Sequence, residues 1–404
     1  MPIQEGVRRL LGTALLALIA LVLTPAARAD SDLVVGIVDD QLKWTAHPKP
    51  TTAALRDLGI GALRVPLTWR RGSSRLTRTD LVTMNRVVGA TFPMRIVLTV
   101  AGPSQEAPRS DAERGQFCAY VRDALARYPA INDVTIWNEV NSNDFWQPQF
   151  DSTGASVAPR EYAALLARCY DVLKPLRPKL NLMTDTSPRG NDNAFASTNA
   201  GHSPGLFVRR LGEAYRAMGR ARPLFDNVGH HPYGDFSLES PFARHPNTGS
   251  IGQGDYDKLV AAYKDAFAGT DQPTIGRGAR IWYLEDGFET TVSSSKRSLY
   301  NGVERSRTVG PDALHAEQLV DAVRFAYCQP YVASFFNFLL TDERRLAGWQ
   351  SGLLWADGSK KPAYAAFRGV IRDVRQRKVD CAALRKKEAD TLAGGFIFLP
   401  PKKP

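Results

Sequence analysis

From residue 33 onward, short apolar runs alternate with longer amphipathic stretches. Apolar runs of about four to eight residues read as buried strands, and apolar residues recurring every three or four positions read as helices. The first strand is Leu33–Val38, followed by a helix at Thr51–Leu58 and a strand at Ala62–Thr68. A helix at Asp80–Val88, a strand at Met94–Val100 and a helix at Ala112–Arg127 follow. The pattern continues with a strand at Asp133–Asn138, a helix at Pro159–Leu173, a strand at Leu180–Thr184 and a helix at Gly205–Met218. It closes with strands at Asn227–His231, Arg280–Leu284 and Val332–Leu339, each followed by a helix: Tyr256–Phe267, Ala313–Cys328 and Pro362–Arg375. Eight strand-then-helix units predict an α/β chain folded as one (β/α)8 TIM barrel rather than an open sheet. No Gly-x-Gly-x-x-Gly follows the first strand, which argues against a dinucleotide-binding fold. Two connections are long, Tyr233 to Asp255 and Gly287 to Asp312. Both leave the C-terminal ends of strands, where barrel active sites are built.

The N-terminus stands apart from this alternation. Arg8 and Arg9 precede an almost wholly apolar run, Leu10 to Leu23, and then Ala27-Arg28-Ala29. Basic, apolar and small-residue segments in that order predict a signal peptide over 1–29, with an uncleaved anchor as the alternative. The boundaries that follow are a barrel domain over 30–380 and a C-terminal extension over 381–404. The chain of 404 residues is 44% hydrophobic and 23% charged, which excludes collagen, a coiled coil and a wholly disordered chain. No other apolar stretch is long enough for a membrane span once the leader is removed.

Charge and cysteine narrow the classes further. Loss of 1–29 takes Lys plus Arg from 52 to 49 and Asp plus Glu from 41 to 40, so the formal charge falls from +11 to +9. The positive charge is dispersed, with its densest cluster at Arg385-Lys386-Lys387, and no basic stripe interleaves with aromatics as a nucleic-acid groove requires. The charge reads as a solvated surface suited to acidic polymers or an anionic envelope. Four cysteines in an exported chain point to disulfides. Cys118–Cys169 with Cys328–Cys381 is the preferred pairing of three, and four buried thiols are the alternative. No Cys-x-x-Cys is present. The histidines are scattered, and His230 and His231 point to opposite faces of one strand, so no metal site is expected. There is no Gly-x-Ser-x-Gly elbow for a serine hydrolase.

The candidate chemistry lies at two strand ends. Trp137-Asn138-Glu139 ends strand four, and Tyr283-Leu284-Glu285 ends strand seven. In a regular strand residues two apart share a face, so Glu139 is expected beside Trp137 and Glu285 beside Tyr283. Strands four and seven stand nearly opposite in an eight-stranded ring. A lone carboxylate at a strand end is commonly a surface or ion-pair residue, but two that face each other across a barrel mouth can serve as acid/base and nucleophile. Carboxyl groups about 5–5.5 Å apart suit a retaining glycosidase.

At these motifs the sequence resembles clan A glycoside hydrolases, retaining (β/α)8 enzymes, with families 39 and 5 the most similar. The resemblance runs from the first strand to the last helix. It implies that Glu139 is the acid/base, that Asn138 contacts a sugar 2-hydroxyl, and that Glu285 is the nucleophile. Arg64, in Leu63-Arg64-Val65-Pro66, matches the strand-two arginine near the nucleophile, and His231 and Tyr233 match the strand-six pair. Arg64 and Tyr233 would stabilise the ionised nucleophile, while the other carboxylate's charge would raise the pKa of Glu139. One departure is evident. The clan usually has a tryptophan ending strand eight, whereas this chain has Ser334-Phe335-Phe336-Asn337-Phe338. Phe338 or Trp349 would supply the sugar platform. Trp69 and Trp146 are further candidates for stacking on sugar rings, with loop packing as the alternative. The implied activity is hydrolysis of a β-linked oligo- or polysaccharide by two glutamates without a cofactor. The alternatives are an inactive carbohydrate-binding barrel and a transglycosylase.

Overall fold

A computed structural model describes residues 32–196, 198–304 and 309–394. The barrel strands are β1 Val34–Val38, β2 Ala62–Thr68, β3 Arg95–Ala101, β4 Asp133–Ile136, β5 Asn181–Met183, β6 Val228–His230, β7 Ile281–Asp286 and β8 Val332–Phe338. The helices that follow them are α1 Pro48–Leu58, α2 Arg78–Thr91, α3 Asp111–Arg127, α4 Ala158–Leu173, α5 Pro204–Ala217, α6 Tyr256–Ala266, α7 Asp312–Cys328 and α8 Pro362–Arg375. All eight strands pair in parallel in the order β5-β4-β3-β2-β1-β8-β7-β6. A parallel bridge between Met183 and Asn227 joins the two ends into a ring. The expected (β/α)8 barrel is therefore present, and its elements fall within a few residues of the sequence-derived ones.

The alternation of side chains sorts the strands into two layers. Val35, Ile37, Leu63, Val65, Leu98 and Val134 face the helices in the main core. Ala62, Val97, Met183, Leu284, Ala333 and Phe336 fill the barrel interior. Small residues are needed where large ones cross the ring: a Cβ on Gly36 would lie 2.4 Å from the Phe336 ring. The helices start where their sequences provide caps. Thr77 with Asp80 and Ser110 with Glu113 form capping boxes at α2 and α3, each satisfying otherwise orphaned backbone N–H groups.

The tail does more than a sequence of low periodicity suggests. Residues 381–393 form a further helix, α9 (Cys381–Ala393). It buries only Leu384, and it is held to α7 by Lys387, which bonds Glu317 at 2.9 Å and Asp321 at 2.7 Å. Disulfides join Cys118 to Cys169, across α3 and α4, and Cys328 to Cys381, from α7 to α9. Residues 1–29 and the last ten of the predicted extension lie outside the described residues. No helix among the described residues is long and apolar enough to cross a membrane.

The Cys118–Cys169 bridge closes a loop of 51 residues. Its replacement by two serines is expected to lower stability by about 2–4 kcal/mol, the usual effect of opening a native loop of this size. A urea titration measures it, and a midpoint equal to that of the parent protein would contradict the expectation.

Candidate active site

The two glutamates reach the barrel mouth by local irregularities rather than by regular strand geometry. After β4 the chain leaves the extended region, with positive φ at Trp137 (69°) and Glu139 (40°). Such conformations cost energy in residues with a Cβ and persist only where the surroundings enforce them. Trp137 is anchored by its Nε1, which donates to Phe145 O at 2.6 Å, and Glu139 by its N–H, which donates to Asp185 Oδ1 at 3.1 Å. The expected sharing of a face by Trp137 and Glu139 is thus overturned. Trp137 packs in the core between sheet and helices, and Glu139 lines the mouth.

Strand β7 departs from regularity as well. It pairs with β8 at Tyr283↔Phe335 and next at Asp286↔Asn337, three steps against two. The extra residue is a β-bulge, which bends a strand and re-aims a side chain. Tyr283 stays in the helix-facing layer, its hydroxyl donating to Gln329 Oε1 at 2.9 Å. Glu285 turns into the mouth instead, so this second expected pair also does not share a face.

Three groups hold the carboxylates together. Arg64 is buried, donates to Glu285 Oε1, and also reaches Asp185 Oδ2 at 2.8 Å and Asn138 Oδ1 at 3.0 Å. The Tyr233 hydroxyl donates to Glu285 Oε2 at 3.2 Å. His231 places Nδ1 at 2.8 Å from Glu139 Oε1 and 3.5 Å from Glu285 Oε2, with Nε2 at 3.0 Å from Asp185 Oδ1. A carboxylate oxygen of Glu139 and one of Glu285 lie within 4.8 Å of each other and of a His231 nitrogen. Arg64, Asn138, Glu139, His231, Tyr233 and Glu285 are thus brought together.

Asp185 was not among the predicted site residues. It sits just beyond β5, fully buried, and contacts Arg64, His231 and the Glu139 backbone. A sequence signal existed: Asp185 is the first carboxylate past the fifth apolar run, in Thr184-Asp185-Thr186. That is the strand-end position that singled out the two glutamates.

The charges of the site follow from burial set against these contacts. Burial pushes Glu139 above the usual carboxylate range; His231 opposes the rise and the Glu285 charge adds to it. Desolvation, rather than the neighbouring carboxylate alone, is thus the leading cause. Burial works against the charged form of His231, but Asp185 and Glu285 overcome it and raise its pKa to about 10. Burial would lift Asp185, yet His231 and Arg64 hold it below its ordinary value. Burial beside Glu285 drives Tyr233 well upward, so it remains a hydrogen-bond donor.

The aromatic candidates divide into two groups. Trp69 and Trp146 are wholly buried and absent from the cavity wall. They pack edge to face on Trp137, at centroid distances of 6.3 and 5.4 Å. Of sugar stacking and loop packing, their positions match packing, with both indoles against the Trp137 ring. Phe338 and Trp349 do line the cavity, with centroids 5.6 Å apart, and Trp349 also meets Tyr233 at 5.4 Å. They form one aromatic wall beside Glu285.

Both long loops reach the mouth, the first through Gly234–Ser237 and the second through Gly287–Glu289. The first is pinned by His245, whose Nδ1 lies 2.6 Å from Asp255 Oδ2 and whose Nε2 lies 3.3 Å from Glu239 Oε1. Asp235, Glu239 and His245 offer ligand-type atoms as close together as those of Glu139, His231 and Glu285. Hydrogen bonds to Asp255 and Glu239 raise His245 to about 10, as the surrounding carboxylates do for His231. The loop after β5, which sequence reading passed over, adds Ser187, Asn191 and Asn199 to the cavity wall.

No protein-family model matches this chain, and no curated protein matches its sequence. Solved structures do match its fold. A family 39 glycoside hydrolase from the gut symbiont Bacteroides cellulosilyticus WH2 aligns with a TM-score of 0.59 at 16% identity, over 85% of this chain and 63% of that one. A GH5_18 enzyme from Streptomyces cattleya, solved in complex with GlcNAc, gives 0.56 at 16% identity, over 85% and 80%. A glucosidase from Croceicoccus marinus gives 0.57 at 13% identity, over 85% and 68%. This chain thus spans under two thirds of the Bacteroides structure. At such identities the likeness shows a shared barrel fold, that of family 39 and family 5 glycoside hydrolases.

Proposed function

We propose that the protein is an exported retaining glycoside hydrolase acting on β-linked glycans. The observation that carries this reading is the convergence of Glu139 and Glu285, with carboxylate oxygens within 4.8 Å at the mouth of a parallel barrel. Retaining enzymes hold their carboxyl groups about 5–5.5 Å apart, whereas inverting ones leave about 6.5–9.5 Å for a water. The fold shared with family 39 and family 5 hydrolases supports the same class. The Ala27-Arg28-Ala29 leader pattern and the two disulfides support export.

The chemistry takes two steps. Protonated Glu139 gives its proton to the glycosidic oxygen as that bond to the anomeric carbon breaks, while a Glu285 oxygen bonds to the same carbon from the opposite face. Loss of the Glu285 charge then lowers the pKa of Glu139. Glu139 takes a proton from water, which attacks the anomeric carbon and frees Glu285. Arg64 and the Tyr233 hydroxyl orient Glu285 and stabilise its charge. Asn138 faces the site for a sugar hydroxyl. No cofactor enters either step.

Glu139→Gln separates the steps. Aryl glycosides with acidic phenols need little protonation, so formation of the glycosyl-enzyme should survive, while hydrolysis of that intermediate should slow by about 10²–10⁴-fold. Stopped-flow release of the phenol is expected to show a burst, and azide is expected to restore turnover as the β-glycosyl azide. Binding of sugar without turnover by the unsubstituted protein would instead make it a carbohydrate-binding barrel.

A further inference from the structure

We infer that the enzyme cuts inside a glycan chain, holding sugar units on both sides of the glutamates; this rests on the hydrolase reading above. The opening at the mouth has a volume of about 1230 Å³. Pockets that enclose one drug-sized ligand occupy about 300–1,000 Å³, and a single sugar ring is smaller than such a ligand. An enzyme that trims one sugar from a chain end needs a blind pocket closed behind that sugar. This opening draws its walls from the ends of all eight strands and the loops after them.

The ring order shows how the walls lie relative to the chemistry. Glu139 follows β4 and Glu285 lies on β7, so a line between them leaves β5 and β6 on one side and β8, β1, β2 and β3 on the other. The cavity extends to both sides. Asn191, Asn199 and Phe236 wall it on the β5 and β6 side, and Leu67, Thr68 and Gly102 on the β2 and β3 side. Its wall is rich in groups suited to sugars. Asn143, Ser187 and Asn191 offer polar side chains to ring hydroxyls, and Phe236, 42% exposed, offers an apolar face. One cavity of this volume lying on both sides of the catalytic pair has room for sugar units on either side of the bond to be cut.

The test uses oligosaccharides of graded length. Glu285→Gln is titrated calorimetrically with β-1,4-gluco-, β-1,3-gluco- and β-1,4-xylo-oligosaccharides of one to six units, and the unsubstituted enzyme is given the same hexamers. Affinity for at least one series is expected to climb 100-fold or more from the monomer to the longer members, and its hexamer is expected to yield internal fragments first. Affinity that levels off at one or two units in every series, absence of binding included, would overturn the inference, as would release of single sugars from the hexamer end. The hydrolase reading is scored separately, on aryl monoglycosides. Their cleavage by the parent enzyme but not by Glu285→Gln keeps that reading even where length dependence is flat. Cleavage of no substrate at all removes both.

Discussion

Glu285→Gln is expected to reduce kcat by about 10⁴-fold or more, as loss of a covalent nucleophile does in other hydrolases. At about 1.36 kcal/mol per tenfold, that is more than 5 kcal/mol of transition-state stabilisation. The substitution keeps the shape of the side chain. Arg64 still has Asp185 and Asn138, and the Tyr233 hydroxyl still has an amide oxygen to donate to. Folding and KM should therefore change little, and a calorimetric or circular dichroism melt checks the fold independently. The smaller Glu285→Ala leaves room for azide, which would attack from the vacated face and give the α-glycosyl azide. The opposite anomer from Glu139→Gln assigns the two carboxylates to opposite faces of the sugar. Activity within tenfold of the parent enzyme in Glu285→Gln would remove Glu285 from the reaction and with it the double-displacement mechanism.

The ring of strands was readable because a parallel strand buried on both faces appears as an apolar run, and a surface helix carries apolar residues at helical spacing. Both signals are local and repeat eight times. Helix α9 is harder to read for the opposite reason. Only Leu384 of α9 is buried, so it has almost no apolar stripe, and the Cys328–Cys381 bridge and the Lys387 ion pairs do the fastening.

At the site, residue types were legible and directions were not. Glu139 and Glu285 stand out in the sequence because carboxylates at strand ends face the mouth of a barrel. Their neighbours were assigned to faces by strict alternation, which fails where a strand kinks or bulges. The positive φ at Glu139 is held by a partner 46 residues away, Asp185, so no local pattern announces it. The β7 bulge is likewise a matter of its register against β8. Sugar stacking and loop packing both stay open for Trp69 and Trp146 in the sequence because exposed and buried indoles look alike there. The kinked backbone at Trp137 decides between them by requiring aromatic support. Asp185 is the instructive omission: it occupies the right place in the pattern, but its role is to hold charges, and that role appears only once Arg64 and His231 arrive from β2 and β6.

Asp185→Asn is expected to disable this arrangement while preserving its shape. The substitution removes the buried negative charge that contacts Arg64 at 2.8 Å and His231 at 3.0 Å. Breaking one member of a buried ion pair costs about 3–5 kcal/mol of stability. The pH dependence gives its signature. The pKa of His231, about 10 in the folded chain, exceeds its ordinary value of 6.5. Its contribution to stability is therefore fully present below pH 6.5 and lost as pH rises toward 10. Asp185 is shifted the other way, so its contribution is present above the ordinary carboxylate range and is lost as pH falls through its lowered value. The parent protein should accordingly weaken at both extremes, and the variant should show a flatter profile from a lower maximum. Asp185 acts through other side chains, so activity should fall by about 10²-fold, the effect of misplaced catalytic groups, rather than vanish. In the parent, His231 Nδ1 spans Glu139 and Glu285 as a charged donor. A neutral imidazole in the variant would no longer hold down the pKa of Glu139, so the alkaline limb of kcat/KM, set by loss of the Glu139 proton, should move to higher pH. Histidine-labelled protein reads this directly in its imidazole resonances. A His231 that still titrates near pH 10 in Asp185→Asn, with kcat/KM unchanged, would show that Asp185 supports the fold alone.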